Sequence, residues 1–447
     1  MTLTDIRKTL ASLDARPRQT LGQNFLHDQN LAQWIVTQLG VGVEETVVEI
    51  GPGLGALTEF LVGRVARLVL IEKDAKMVES LRERFAASDV ELFHGDALDF
   101  DLRILWGGGP VKVIGNLPYY VSTPLIAKFT SALSPASELV LTLQSEVADR
   151  LAARVGDTDY GAMSVCVQRR WNVEFLRRLP PSVFFPVPKV SSAVVRLSAR
   201  SAGSFPALDE EFFEQIVRSG FSQRRKQLKN LLPELRTEWS GLAAAIGVKE
   251  TCRGEDLSLG QWEALACAAR PGGAQRGTEL FDVVDAGDRV MGPEPRDFVH
   301  VNNLRHRAVH ILLFNAHGEL FLQKRSPWKD LNPGLWDSSA AGHVDAGEDY
   351  AEAAGRELGE ELGVQAELER LGKLESCPET SWEFVEIFRG RHEGPYRLAR
   401  LEVEAGAYFP VRRIADWLAR RPADFSPLFR MIFPGFIFQS CDVPRYE

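Results

Sequence analysis

The stretch Val47-Val48-Glu49-Ile50-Gly51-Pro52-Gly53-Leu54-Gly55 decides how the first half of the chain is interpreted. Its β-branched beginning is typical of a buried strand, and the glycines that follow predict a tight turn. A helical pattern continues from Ala56, so we expect the turn to present bare N–H groups at a helix N-terminus, where backbone can approach a ligand closely. By itself this motif indicates a nucleotide-like ligand no more strongly than a purely steric use of glycine.

Strands and helices alternate from Thr46 to about Glu146. The apolar runs predict five strands: Val47–Ile50, Leu68–Ile71, Val90–Phe93, Val111–Ile114 and Leu139–Leu143. Such alternation is typical of a parallel, doubly wound α/β sheet that binds ligands at the carboxyl ends of its strands. We expect Glu72, about 20 residues after the turn, to accept hydrogen bonds from ribose hydroxyls. Asp96, after the third strand, is expected near an adenine amino group.

The fourth predicted strand ends in Asn116-Leu117-Pro118-Tyr119-Tyr120, and these residue types suit methyl transfer to a base. The exocyclic amine of a base is a poor nucleophile because its lone pair is delocalised into the ring. The Asn116 side-chain oxygen and the Leu117 carbonyl can accept its two hydrogens, while Pro118 stiffens the turn and Tyr119 offers a stacking face. Together they would hold the nitrogen in line with an electrophilic methyl group. The alternative is a proline-containing turn with packed tyrosines.

Several segments, in this order, resemble the KsgA-type small-subunit ribosomal RNA adenine dimethyltransferases over about residues 15–268. They are Gly22-Gln23-Asn24-Phe25-Leu26, Glu49-Ile50-Gly51-Pro52-Gly53, Ile71-Glu72, Gly95-Asp96-Ala97, Asn116-Leu117-Pro118-Tyr119-Tyr120 and Phe184-Phe185-Pro186-Val187-Pro188-Lys189-Val190-Ser191-Ser192-Ala193. The segment Phe221–Asn230 resembles the family's basic helix. The resemblance implies a Rossmann-like methyltransferase domain at residues 1–195 and a helical RNA-binding subdomain at residues 196–268.

The resemblance also implies the reaction and its residues. S-adenosylmethionine would dimethylate N6 of two adjacent adenosines near the 3′ end of 16S rRNA during ribosome biogenesis. The donor would contact Asn24, Leu26, Glu49, Gly51, Gly53, Glu72, Asp96, Ala97 and Asn116. The catalytic set would be Asn116, Leu117, Pro118, Tyr119 and Phe184, with Phe184 helping to hold the target adenine. RNA phosphates would contact Arg224, Arg225, Lys226 and Lys229. Enzymes that methylate large-subunit rRNA, mitochondrial homologues and a mainly ribosome-assembling role remain alternatives.

The second half begins after residues 269–278, whose Gly-rich composition predicts a linker. Two strand pairs are predicted, Leu280–Val284 with Arg289–Met291 and His306–Leu313 with Leu320–Lys324. This antiparallel or mixed pattern differs from the first half, so we expect a separate α+β domain at residues 279–447.

A carboxylate-rich helix is the main chemical signal of the second half. Helical periodicity from Tyr350 to Leu362 puts Glu357, Glu360 and Glu361 on one face. Like charges there would destabilise an isolated helix, whereas hard oxygen ligands suit Mg²⁺ or Mn²⁺. Such a cation would neutralise a pyrophosphate and orient or activate water. A solvated acidic helix is the alternative.

The spacing from Gly342 through Glu348 to Arg356-Glu357-Leu358-Gly359-Glu360-Glu361-Leu362-Gly363-Val364 resembles the Nudix box. The resemblance implies a Nudix fold that hydrolyses a nucleoside diphosphate derivative. Glu357, Glu360 and Glu361 would bind metal, with Glu348 a further candidate. Arg356, which would orient the glutamates, and Glu360 would be catalytic. A non-catalytic binding module is the alternative.

Two other segments of this half, Arg307–His310 and Leu335–His343, are similar to isopentenyl-diphosphate isomerases. Those enzymes carry a cysteine just before the Gly342-His343 region, where this chain has Ala340 and Ala341, so hydrolysis is favoured over isomerisation.

The composition limits the class of protein to which the chain can belong. It has 447 residues, a net charge of −9 and five cysteines without a C-x-x-C pair, which is typical of reduced thiols in a cytoplasmic protein. No apolar run approaches the roughly 18 residues of a membrane span, and the N-terminus lacks a signal-peptide pattern. We therefore expect a soluble multidomain protein without a membrane partner.

Overall fold

The computed structural model describes residues 1–18, 22–201, 206, 208, 210–269, 279–327, 329 and 331–437. Contacts divide the chain into two compact units: Met1–Phe205 with Phe212–Ala269, and Arg270–Glu447 with Pro206–Glu211. Apart from Ala269, the predicted linker at residues 269–278 lies outside the described residues. Within the described ranges, no helix is long and apolar enough to cross a membrane.

The first unit is built on a seven-stranded sheet. Its strands and those of a small separate pair are β1 (Phe25–Leu26), β2 (Thr46–Ile50), β3 (Arg67–Glu72), β4 (Val90–His94), β5 (Val111–Asn116), β6 (Ala136–Gln144), β7 (Trp171–Leu179), β8 (Phe184–Phe185) and β9 (Ser192–Ala199). The sheet order is β4-β3-β2-β5-β6-β9-β7, and β1 pairs with β8. Neighbours from β4 to β6 are parallel, whereas β9 and β7 are antiparallel. All five predicted strands are confirmed, with slightly longer ends.

The β2 strand is buried on both faces because side chains alternate across the sheet. Val47 joins a core cluster with Leu68 and Leu70, whereas Val48 joins the cluster of the opposite face with Val69. A parallel strand covered on both sides has no polar face, which explains its continuous apolar sequence. The α/β fold class predicted from the sequence is confirmed.

The helices of the first unit are α1 (Leu3–Ser12), α2 (Gln29–Leu39), α3 (Ala75–Arg84), α4 (Ser122–Phe129), α5 (Ser145–Ala152), α6 (Ala162–Arg170), α7 (Glu210–Gly220), α8 (Trp239–Ala245) and α9 (Leu259–Ala269). The helix expected from Ala56 is absent: turns follow the glycines, and then a single 3₁₀ helix at Thr58–Phe60. The prediction was wrong: Gly51, Gly53 and Gly55 all have positive φ, so the chain reaches Ala56 through left-handed turns and not through a first helical turn.

The segment similar to a basic helix is also not an α-helix. After α7 ends at Gly220, Arg224, Arg225 and Lys226 lie in turns, and only a 3₁₀ helix, Leu228–Asn230, follows. Leu228 is buried, and its backbone N–H donates to the Cys252 carbonyl at 2.8 Å, so tertiary pairing replaces helical pairing here.

The second unit contains a mixed sheet and a separate hairpin. Its strands are β10 (Leu280–Val284), β11 (Val290–Pro295), β12 (His306–Phe314), β13 (Leu320–Arg325), β14 (Trp336–Asp337), β15 (Ala340–His343), β16 (Leu368–Leu374), β17 (Glu383–Arg391) and β18 (Val403–Phe409). Its α-helices are α10 (Arg296–Val301), α11 (Tyr350–Leu362), α12 (Val411–Arg420) and α13 (Pro427–Ile432). The main path is β14-β13-β12-β17-β16, with β15 on β12 and β18 on β13.

The two predicted strand pairs have different outcomes. The β10–β11 hairpin is antiparallel along its whole length. By contrast, β12 and β13 meet only at Phe314 and Leu320, because β15 and the parallel β17 occupy the edges of β12. The strands are where the sequence predicts them, but their main partners lie elsewhere in the chain.

Candidate functional sites

A cavity of about 110 Å³ lies where β2, β3, β4 and β5 end. Its lining includes all nine residues predicted to contact a methyl donor: Asn24, Leu26, Glu49, Gly51, Gly53, Glu72, Asp96, Ala97 and Asn116. Parallel strands bring these segments together because their carboxyl ends meet at one edge of the sheet. Their roles in donor binding stay predictions.

The glycine turn is tied to the end of β3. The Gly51 N–H donates to the Ile71 carbonyl at 2.9 Å, and the Gly53 N–H donates to Glu72 Oε2 at 3.0 Å. Gly53 has a φ of +57°, and a Cβ there would lie 3.1 Å from the Phe25 ring. Glycine is therefore required both by the left-handed backbone and by the close approach of Phe25.

Two acidic residues of the cavity wall are engaged in different ways. Glu72 is buried, and its Oε1 accepts a second hydrogen bond, from the Asp74 N–H at 2.8 Å. Burial raises the pKa of Glu72. Asp96 Oδ2 forms an ion pair with Lys73 Nζ at 2.6 Å, and the hydrogen bond from Lys73 lowers the pKa of Asp96.

Glu49 is a buried carboxyl below the glycine turn. Its Oε2 accepts a hydrogen bond from the Thr58 hydroxyl at 2.7 Å. Burial, with a further contribution from neighbouring Glu72, raises the pKa of Glu49 to about 8. Near neutral pH this side chain is mainly a neutral hydrogen-bonding group.

The end of β5 orients the Asn116 amide. Its Nδ2 donates to the Asn24 carbonyl at 2.9 Å, and a carbonyl only accepts, so this contact fixes which amide atom is nitrogen. The side-chain oxygen is thereby left as the acceptor. Pro118 and Tyr120 line the cavity beside it, and Tyr120 is 53% exposed. The predicted stacking residue Tyr119 is half-buried, with its hydroxyl 2.8 Å from Ser192 Oγ.

Leu117 and Phe184 lie in the core. The Leu117 side chain is buried, and its N–H donates to the Thr142 carbonyl at 3.0 Å. Phe184 is 2% exposed and pairs with Leu26 across β1 and β8. Neither Phe184 nor Tyr119 belongs to the described lining of the cavity. Their proposed contacts with the target adenine stay predictions.

The predicted RNA-binding residues divide into two groups. Arg224 makes internal contacts: its Nη2 donates to the carbonyls of Thr158 and Tyr160 at 2.6 and 3.0 Å. Arg225 and Lys226 are exposed, and within the described part of the chain the structure gives neither an ion-pair partner. Lys229 is half-buried. Arg225 and Lys226 are therefore the members most available to a phosphate backbone.

A second cavity, of about 540 Å³, lies in the second unit. Helix α11 supplies its carboxylates and is fixed at both ends. Asp349 caps its N-terminus by accepting from the N–H groups of Ala351 and Glu352, and Gly363 ends it in the left-handed conformation. Its apolar face packs into the core through residues such as Leu358, which directs Glu357, Glu360 and Glu361 toward the cavity.

Gly342 allows Glu357 to lie against the sheet. A Cβ on Gly342 would lie 2.0 Å from Glu357 Cδ, so no larger residue fits unless the carboxylate moves. Burial and the neighbouring Glu361 raise the pKa of Glu357. Arg356, which lies 2.8 Å from Glu357 Oε1, acts in the opposite direction, and a further cation in the cavity would also favour the ionised carboxylate.

Glu361 is 2% exposed and has three partners. Its Oε2 accepts from Gln323 Nε2 at 3.0 Å and from the Ala341 N–H at 3.1 Å. Its Oε1 lies 3.3 Å from Lys329 Nζ. The Glu360 side chain, in contrast, is 61% exposed, and its Oε2 lies 3.1 Å from Arg356 Nη1.

Arg356 lies at the centre of the acidic cluster. Its guanidinium bonds both Glu348 oxygens at 3.0 and 2.9 Å, Glu357 at 2.8 Å and Glu360 at 3.1 Å. These bonds, above all those that Arg356 donates to Glu348, raise the pKa of Arg356 above its usual range. Arg356 therefore supplies a structural reason for the like charges on α11. Glu348 is its main partner and is not part of the described cavity lining.

A family model described as ribosomal RNA adenine dimethylase matches residues 15–266, more than half of the chain. The chain belongs to this family. A relative, ribosomal RNA small subunit methyltransferase A of Thiobacillus denitrificans, is 40% identical over 249 residues, which is 56% of this chain and 96% of the relative. A second model, described as NUDIX domain, matches residues 304–429. The protein is therefore an adenine dimethylase fused to a Nudix domain.

Solved structures are similar to each part separately. A dimethyladenosine transferase from Plasmodium falciparum is 23% identical and covers 54% of this chain and 95% of its own, with a TM-score of 0.46. A protein from Deinococcus radiodurans is 28% identical and covers 33% of this chain and 91% of its own, with a TM-score of 0.29. We refer below to the dimethylase unit (the described residues of 1–201 and 212–269) and the Nudix unit (the described residues of 279–437).

The sequence did not predict several residues of the two cavities. Tyr120 of the dimethylase unit lines the first cavity, whereas its motif predicts a stacking role only for Tyr119. In the Nudix unit, Gln323 and Lys329 contact Glu361, and Arg325 pairs with Asp337 at 3.2 Å on the cavity wall. These residues lie outside the Nudix box and reach it only through the tertiary fold. The spacing of the box therefore does not predict them.

Proposed function

We propose that the dimethylase unit transfers methyl groups from S-adenosylmethionine to N6 of two adjacent adenosines near the 3′ end of 16S rRNA, as a step in ribosome biogenesis. The observation that carries this proposal is the cavity that gathers the nine predicted donor residues around Asn116. The small-subunit name of the 40% identical relative supports the choice of RNA. Residues 196–268 would form the helical RNA-binding subdomain, and residues 1–195 the methyltransferase domain.

The cavity fits a methyl donor of this kind. Gly51 and Gly53 line the cavity without side chains, and Glu72, which accepts from the Gly53 N–H, offers a carboxylate at the end of the next strand. When bound, S-adenosylmethionine supplies an electrophilic methyl group. Asn116 Oδ1 and the Leu117 carbonyl would accept the two amine hydrogens of the adenine and orient its nitrogen. Tyr119 or Tyr120 would stack on the extruded base.

Methyl transfer to purified small subunits lacking the modification tests this proposal. Asn116→Ala should lower the transfer rate by about 10²–10³-fold, the usual effect of removing one positioned polar contact. Asn172→Ala, an exposed position on β7, should retain the wild-type rate. Mass spectrometry of nuclease fragments should place the methyl groups on adjacent adenosines.

Two results would contradict the assignment of the RNA or of the chemistry. Faster methylation of large-subunit rRNA than of 16S rRNA would mean that the enzyme acts on the large ribosomal subunit. Equal transfer by wild type and Asn116→Ala would remove the proposed role of Asn116. Normal subunit maturation supported by a methylation-deficient Asn116→Ala protein would favour the assembly role.

We propose that the Nudix unit is a metal-dependent hydrolase of a nucleoside diphosphate derivative. The observation that carries this proposal is the position of the partly buried Glu357 and the buried Glu361 beside one cavity, with the exposed Glu360 in its lining. Hard carboxylate oxygens in excess of nearby cations fit Mg²⁺ or Mn²⁺. Such a cation, when bound, neutralises pyrophosphate charge and activates water.

The remaining residues of the site would position these ligands. Arg356, which also binds Glu348, would hold Glu357 and Glu360 in position. Lys329 would hold Glu361 in position. Because both oxygens of Glu348 bind Arg356, the main role that we propose for Glu348 is to orient Arg356. Metal binding by Glu348 is its secondary proposed role.

Phosphate release by the full chain with Mg²⁺ tests the second activity. The panel should contain nucleoside diphosphate conjugates, dinucleotides, capped RNA and isopentenyl diphosphate. Glu361→Gln should lower turnover by at least about 100-fold, whereas Glu352→Gln on the same helix should not, because glutamine also serves in a capping box. No turnover of any panel member would support a binding module, and isomerised isopentenyl diphosphate would support the isomerase alternative.

A further inference from the structure

Three histidines and one glutamate converge in the Nudix unit, none of them on α11. His300 comes from α10, His306 from β12, His343 from β15 and Glu383 from β17. One ring nitrogen from each histidine can be chosen so that all three lie within 4.8 Å of one another. Four separate elements thus bring three imidazoles and a carboxylate to one point, and none of these side chains belongs to the predicted box ligands.

The hydrogen bonding of His306 shows which of its nitrogens is free. Its Nδ1 lies 2.8 Å from the Leu304 carbonyl oxygen, which can only accept, so Nδ1 carries the hydrogen. The other ring nitrogen, Nε2, is buried without a hydrogen-bond partner among the described residues and faces Glu383 Oε1 at 3.6 Å. This imidazole nitrogen and the carboxylate could both bind a cation placed between them.

The two other histidines share this environment. His300 Nε2 is also buried without a hydrogen-bond partner, and His343 Nε2 lies 3.2 Å from Glu383 Oε1. The Phe281 ring stacks on His343 with centroids 4.5 Å apart, which closes the cluster on its apolar side.

We propose that His300, His306, His343 and Glu383 form a second metal site, which takes a divalent transition metal such as zinc. Imidazole suits zinc and its neighbours, whereas Mg²⁺ prefers oxygen ligands, so this site is chemically distinct from the α11 carboxylates. Four protein ligands also match the closed coordination of structural zinc sites. The inference does not depend on hydrolysis at the Nudix box.

A metal at this site would fasten α10 to the sheet. His300 is the α10 ligand, while the other three ligands lie on β12, β15 and β17. Within the described residues, α10 follows the β10–β11 hairpin, and both precede the segment that matches the Nudix model. The metal would therefore anchor the first elements of the unit onto its central strands, as structural zinc sites do elsewhere.

Metal titration of the full chain tests the proposal. Protein stripped with a chelator is titrated with Zn²⁺, or with Co²⁺ as a spectroscopic probe, in excess Mg²⁺ to occupy oxygen-rich sites. We expect one bound equivalent and the visible absorption of imidazole-ligated cobalt in wild type. His306→Gln should lose that equivalent and its absorption, whereas Glu361→Gln and the exposed His317→Gln should keep both.

Two further measurements separate metal binding from misfolding. His300→Gln removes a ligand from a short peripheral helix and should also lose the equivalent, so it decides the question if His306→Gln does not fold. Hydrogen exchange of the α10 amides should become faster on metal removal in wild type and be metal-independent in His300→Gln. No Mg²⁺-resistant equivalent in wild type, or an undiminished one in a folded His300→Gln variant, would overturn the proposal.

Discussion

The cavities of the two units hold acidic side chains by different means. In the dimethylase unit, Glu72 is satisfied by backbone N–H groups, and Glu49 by one hydroxyl. In the Nudix unit, carboxylates crowd around Arg356 and depend on its charge. The first cavity is shaped mainly by backbone conformation, whereas the second is shaped by charge that an added cation would balance. Alanine substitutions at glycines that line the two cavities should therefore have effects of different size on the two activities.

Gly342→Ala should produce the largest effect. The new Cβ would lie 2.0 Å from Glu357 Cδ and would force the carboxylate away, so phosphate release should fall by at least about 100-fold. Gly355→Ala is the matched control, because a Cβ there meets nothing within 4 Å. Alanine in that helix should raise the free energy of unfolding by up to about 1 kcal/mol without changing turnover. Unchanged hydrolysis by Gly342→Ala would remove Glu357 from the reaction.

Gly53→Ala makes the corresponding change in the dimethylase cavity and should have a smaller effect. Its positive φ costs an alanine about 1–2 kcal/mol, and the Phe25 ring must also move. We expect donor affinity, measured by calorimetry, to fall by about tenfold. Gly63→Ala carries similar backbone strain at φ +73°, outside the cavity lining, and should bind donor normally. Equal weakening by both variants would mean that strain, and not the cavity, is responsible.

Glu49 should make the stability of the dimethylase unit depend on pH. Its pKa of about 8 in the folded state exceeds its ordinary value of 4.5, so the folded state keeps a proton that the unfolded state releases. Stability should therefore decrease as pH rises from about 4.5 to about 8, by at most a few kcal/mol. Denaturation followed by hydrogen exchange of β2–β5 measures this decrease. Glu49→Gln should flatten it and the exposed Glu44→Gln should not; a steep profile in Glu49→Gln would contradict the assignment.

The exposed basic residues should have the smallest effect. Arg225→Ala with Lys226→Ala should reduce the slope of log affinity against log salt for 16S rRNA by about 1 for each phosphate that the protein no longer neutralises. The control pair Arg236→Ala with Lys249→Ala removes equal charge from exposed positions elsewhere in the subdomain. If both pairs change the slope equally, RNA binding follows overall charge and not the segment after α7.

The sequence alone determined the alternation of five parallel strands and the position of α11, because the apolar period specifies each element. The nine residues that line one cavity were named by the family resemblance, and parallel strands bring Gly51, Glu72, Asp96 and Asn116 to one edge of the sheet. The same rules do not account for Ala56, which lies in turns after three left-handed glycines and not in a helix, or for the bonds of the Arg224 guanidinium to carbonyls of a distant loop.

Only the tertiary structure decided which neighbours the predicted residues meet. It buried Phe184 against β1, placed Tyr120 and not Tyr119 in the described lining of the cavity, and brought Lys329 to Glu361. It also brought His300, His343 and Glu383 together, which no spacing motif connects. Such contacts depend on strand pairing and loop closure between distant segments. A sequence pattern records the period of each element, but the partner of each side chain is set by packing across the whole sheet.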